Sequence, residues 1–130
     1  MILRIIAGIF LILHGLVHLL YAGQSRRYFE LRPGMVWPDG AWAFSRLIGN
    51  ETIRTLAGIL LVLATLSFVV GGLGLLFQQA WWRPVTTGAA VLSSAIFLLF
   101  WNGKFQALDA QGGFALLINL AILVAAVLLK

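Results

Sequence analysis

IIAGIFLILHGLVHLLYA, Ile5–Ala22, is an apolar run interrupted only by His14 and His18, and these are the only histidines in the chain. With Ile2–Arg4 in front, the stretch is long enough to cross a bilayer. An α-helix rises about 1.5 Å per residue, and a hydrocarbon core of about 30 Å needs about 20 residues. A spacing of four puts both imidazoles on one helical face. Ionisable side chains inside a membrane are costly, so that face is expected to point at a bundle interior, a cavity or a partner.

Three more apolar stretches follow, and the predicted spans are 2–22, 56–77, 82–101 and 112–129. None alternates apolar with polar residues as a barrel strand does. The chain has 130 residues, 62% hydrophobic and 10% charged, whereas a soluble domain carries roughly a quarter charged residues. The fold expected is all-α: a single integral-membrane domain, an antiparallel four-helix bundle. A signal peptide with Arg4 as its basic region is the weaker reading, because the run is long and holds both histidines.

The boundaries carry their own signals. Helix one is expected to run on through Ser25–Leu31 until Pro33-Gly34 stops it. Asn50 is the predicted N-cap of helix two, with Glu51 at the positive end of its dipole. Pro84 suits the first turn of helix three, Asn102-Gly103 reads as its stop, and Asp109 caps helix four. In the long first loop, Asp39 is expected to cap a short interfacial helix over Gly40–Ile48, whose apolar side is Phe44, Leu47 and Ile48.

The formal net charge is +5. Most of the excess lies in the first loop, with Arg26, Arg27, Arg32 and Arg46 among Tyr28, Phe29, Trp37, Trp42 and Phe44. Anionic lipid explains that pattern better than nucleic acid. Arg4, Arg83 and Lys130 fall on one side of a four-span topology. The loop arginines, Arg54 and Lys104 fall on the other, which predicts the long loop in the cytoplasm. Without cysteine, the chain has no disulfide, thiol relay or thiolate metal site.

Each span has a stripe of small residues for close helix packing: Ala7, Gly8, Gly15 and Ala22 in the first; Gly58, Thr65 and Gly72 in the second; Ala90, Ser93 and Ser94 in the third; Ala115 and Asn119 in the fourth. His18, Glu51, Arg54, Asn102 and Asp109 lie near one end of the bundle, with His14 a turn deeper and Asn119 within reach from helix four. These are the candidate ligand-binding residues. One reading is a polar pocket for a quinone or lipid head, with His18 and Tyr21 as donors. The other is interhelical hydrogen bonding with no ligand. A metal finds too few ligands beside the two imidazoles. Haem is disfavoured because histidines at i and i+4 cannot take opposite axial positions. A transporter or channel is the rival class, although no Asp or Glu lies inside a span.

Three segments carry a resemblance. GIFLILHGLVHLLYAG, Gly8–Gly23, is similar to the first helix of the DoxX-like proteins, with His14-Gly15 at their HG pair and His18 where relatives often carry lysine. ETIRTLAGILLVLATLSF, Glu51–Phe68, resembles their second helix, in which a glutamate precedes a glycine- and leucine-rich run. GGFALLINLAIL, Gly112–Leu123, resembles the last helix in texture. The resemblance implies a small four-helix protein of the bacterial inner membrane, an accessory rather than catalytic subunit of a redox assembly. It implies membrane redox subunits as partners; membrane lipids and a second copy of the chain are the other partners expected.

Overall fold

The computed structural model describes residues 1–128; Leu129, where the fourth span was expected to end, and Lys130 lie outside the described residues. It is all-helical, with α1 over Ile2–Ser25, α2 over Asn50–Leu76, α3 over Trp82–Leu99 and α4 over Phe114–Leu128. A short 3₁₀ turn, Phe105–Ala107, and a π turn, Asp109–Gly113, lead into α4. With the π turn counted into the last one, all four helices are long and apolar enough to span a membrane. This is the architecture of a multi-pass membrane protein. Leu, Ile, Val and Phe cover the outer faces, as suits a hydrocarbon solvent.

Successive helices pack side by side, α1 on α2, α2 on α3 and α3 on α4. Glycines set the first of these contacts. A side chain at Gly72 would stand 2.8 Å from the Gly8 carbonyl oxygen, and one at Gly15 would stand 2.7 Å from Phe68 Cβ. In lipid no hydrophobic drive joins helices, so bare backbone on each side allows the approach that dispersion requires. Leu11, Phe68, Leu75, Ala89, Ala90 and Ile122 form one buried cluster. A second, nearer the long loop, gathers Trp37, Ile53, Leu61, Phe97 and Phe100.

Several boundaries differ from the sequence expectation. α1 stops at Ser25 instead of running to Leu31. Arg27 takes a left-handed φ of 62°, and the Arg26 and Tyr28 N–H groups close back on the Ala22 and Gly23 carbonyls. The reversal lays the Phe29 ring on Gly23, 2.4 Å from where a side chain would begin. α2 starts at Asn50 with Gly49 as N-cap, because the Asn50 side chain instead accepts from the Gly40 N–H at 3.2 Å. α3 ends at Leu99, before Asn102-Gly103. Pro84 does fall in its first turn.

Asp109 opens the π turn rather than capping α4. Gly112 has φ +103° there, and a side chain on it would strike Phe97 at 2.2 Å, so only glycine fits. Gly40–Ile48 forms consecutive turns rather than a regular helix. Asp39 is occupied by arginines instead of capping it.

Candidate functional site

Gly15 and the glycine face of α2 bring His14 and His18 deep into the bundle, 6% and 1% exposed. Their rings lie edge to face 5.0 Å apart, and Phe68 packs on both, at 4.9 Å from His14 and 5.2 Å from His18. Phe97 covers His18 from α3 at 5.7 Å. The polar atoms then meet one another. His18 Nδ1 lies 2.8 Å from the His14 carbonyl, which can only accept, so this nitrogen carries the proton. In the neutral ring Nε2 is therefore the acceptor, and the Ser93 hydroxyl donates to it at 2.6 Å. Ser93 Oγ accepts from Asn119 Nδ2 at 2.9 Å. Asn119 Oδ1 accepts from His14 Nε2 at 2.9 Å.

These four contacts form a ring in which every donor points the same way round. It ties α1 to α3 and α4, and it fixes both tautomers and the Asn119 amide orientation. Ser93 and Asn119 are both fully buried. Among the described residues, no three His, Asp or Glu side chains gather as a metal would need.

The remaining candidates do not join the ring. Arg54 grips Asp39 through two bonds, Nε to Oδ1 at 2.7 Å and Nη2 to Oδ2 at 2.5 Å, and Arg27 adds a third contact at 3.0 Å. Burial alone would raise the Asp39 carboxyl. The Arg54 hydrogen bond and the Arg27 and Arg54 charges outweigh it and hold the carboxyl below its ordinary range. Asp109 pairs with Arg32 at 3.2 Å, half exposed. The Asn102 side chain accepts from the Lys104 N–H at 2.9 Å, and the Asn102 backbone N–H donates to Gln111 Oε1 at 3.0 Å. Glu51 is exposed in the first turn of α2.

The structure thus brings together His14, His18 and Asn119, and disperses Glu51, Arg54, Asn102 and Asp109 over the loop face. Ser93 is the member that sequence reasoning placed only in a packing stripe. Its one signal was the Ser93-Ser94 pair in an otherwise apolar helix.

Above the ring, the long loop closes the bundle. Trp37 is fully buried against Tyr21 and Phe97, with ring centroids 5.5 and 6.1 Å away. Gln24 donates to the Met35 and Trp37 carbonyls and accepts from the Leu31 N–H. The Trp42 indole donates to the Leu98 carbonyl at 2.6 Å. Beside this cap, a cleft of about 290 Å³ opens between the ends of α1 and α4, lined by Leu20, Tyr21, Arg32, Asp109 and Phe114. No family model, curated protein or solved structure matches the chain.

Proposed function

We propose that this chain is a DoxX-like protein of the inner (cytoplasmic) membrane that acts as a non-catalytic accessory subunit of a redox assembly. On this reading its lipid- or quinone-sized clefts lie on the bundle surface, and its polar core holds the helices together. The observation that carries the reading is the closed ring. Both partnered nitrogens of His18, Nε2 of His14, the Ser93 hydroxyl and the Asn119 amide are committed to one another across three helices. A reactive or conducting centre keeps polar groups free for its substrate, whereas these are spent on structure.

The cleft at Tyr21 and Arg32 suits a quinone head better than the histidines do. It opens at the interface beside apolar Leu20 and Phe114, and it offers a phenol and a guanidinium, donors of the kind a quinone carbonyl accepts. Purification from the native membrane in mild detergent tests the proposal. The expected preparation contains redox subunits, recognised by quinone-reductase activity and by flavin or haem absorbance, and Tyr21→Phe with Arg32→Gln lowers its bound quinone. Recovery of the chain without any such activity, or ion-specific flux through the pure chain in liposomes, would overturn it.

A further inference from the structure

A large apolar groove lies away from both the ring and the Tyr21 cleft, on the outer side of the α1–α2 pair. It measures about 570 Å³ and runs along α2 from Val62 and Leu63 past Gly58 to Thr55, with Leu19 and Ala22 of α1 as its other wall. That is about 12 Å of helix at about 1.5 Å per residue, enough for the upper part of an acyl chain. Phe29 and Tyr28 roof its loop end, because the reversal after Ser25 folds Phe29 onto Gly23.

A cation stands at that end. The stem of Arg26 passes over Gly58, where a side chain would meet its Cδ at 3.2 Å. Its Nη1 donates to the Thr55 hydroxyl at 2.7 Å, and that oxygen is its only protein acceptor among the described residues. Arg27, Arg32 and Arg54 each pair with a carboxylate; among the described residues Arg26 pairs with none. Among the described residues no acidic side chain lines the groove itself; Glu51 lines an adjoining recess that shares Thr55 and Ile59 with it.

We infer that this groove is a binding site for one anionic phospholipid, its acyl chain between α1 and α2 and its phosphate on Arg26. The sign of the charge selects the headgroup. A guanidinium presents forked donors that match phosphate geometry, and the groove's own lining holds one cation and no carboxylate to receive a choline or ethanolamine cation. Gly23 seats the Phe29 ring and Gly58 the Arg26 stem at the loop end of the groove, and Arg26 reaches the headgroup level because α1 ends just before it. The site is independent of the accessory role, since it needs no partner protein.

Native mass spectrometry of the delipidated full chain in mild detergent tests the inference. The probes are phosphatidylglycerol, phosphatidylcholine and soluble glycerol 3-phosphate. Phosphatidylglycerol is expected to be retained about fivefold better than phosphatidylcholine, the selectivity of one arginine at an anionic surface. Arg26→Gln should abolish that preference. Val62→Trp should fill the groove and lower retention of phosphatidylglycerol with Arg26 untouched. Lys104→Gln, which removes an exposed cation elsewhere, should change nothing. Equal retention of both lipids by the unaltered chain would overturn the site. So would an effect of Lys104→Gln as large as that of Arg26→Gln. Displacement of phosphatidylglycerol by glycerol 3-phosphate would show a phosphate site without a lipid channel, and would overturn it too.

Discussion

α1 meets α2 and α4 by opposite means. Against α2, glycine faces glycine, and Gly8, Gly15 and Gly72 let backbone rest on backbone. Against α4, the Cα atoms of the two helices nowhere come within 8 Å among the described residues, and the imidazole of His14 spans the gap to Asn119. One contact is made of shape, the other of directed hydrogen bonds. Shape needs every ångström, because the dispersion gained falls off steeply with separation. A long polar side chain tolerates distance but fixes identity, since only a partner with the right donor and acceptor completes the ring.

The tight contact should be the more fragile. Gly72→Ile would drive a branched side chain into the Gly8 carbonyl and Ile12, where backbone cannot give way. The expected loss is about 3 kcal/mol, read as a fall in unfolding free energy in detergent. An unchanged value would show that the helices slide apart at little cost and that the seam is looser than its glycines imply.

The directed contact should lose less per residue but show coupling. His14→Leu and Ser93→Ala are each expected to cost about 1 kcal/mol. Because both sit in one ring, the double variant should cost less than the sum, by about 0.5 kcal/mol or more. Strict additivity would break the ring into independent bonds.

The cap over both seams adds a pH dependence. Asp39, held by Arg54 and Arg27, has its carboxyl below the ordinary value of about 3.9. A carboxyl depressed by folding stabilises the protein above its unfolded value and loses that contribution as pH falls through the folded one. The melting temperature should therefore drop below about pH 4. Asp39→Asn should lower it at neutral pH and flatten the acid slope. An acid slope unchanged by the substitution would assign it to other carboxyls. The smallest effect belongs to Arg32→Gln: its pair with Asp109 is half exposed on both sides, and no measurable change in melting temperature is expected.

The four helices and the small-residue stripes were legible because each is a local, periodic property of apolar sequence. Their ends were less so. α1 halts at Ser25 through a left-handed turn at Arg27, a conformation that a non-glycine residue does not announce. Asp39 looked like a cap because the nearest helical pattern follows it, but its partners Arg27 and Arg54 flank it at a distance along the chain. The histidine pair was visible as a shared face, and Asn119 as a polar residue at reach. What the pattern could not supply was the Ser93 link between them, since a serine in a membrane helix can satisfy itself on its own backbone. The dispersal of Glu51, Arg54, Asn102 and Asp109 followed from the same gap: sharing a level of the membrane does not make residues neighbours.

The first loop is the longest stretch outside the helices, yet most of it is not available for insertion or cleavage. From Trp37 to Trp42 its main chain and side chains are tied to α1, α2 and α3 through Gln24, Asn50 and the Leu98 and Trp101 carbonyls. Near Pro33-Gly34 the ties are local: the Gly34 N–H donates to the Glu30 carboxylate at 3.0 Å, the Met35 N–H donates to the Arg32 carbonyl, and Gly34 has open space around it with a left-handed φ of 77°. An epitope or fluorescent reporter spliced there would sit clear of the cap and leave its ties intact. The same insert a few residues later, at Trp37–Ala41, would pull the plug from the bundle.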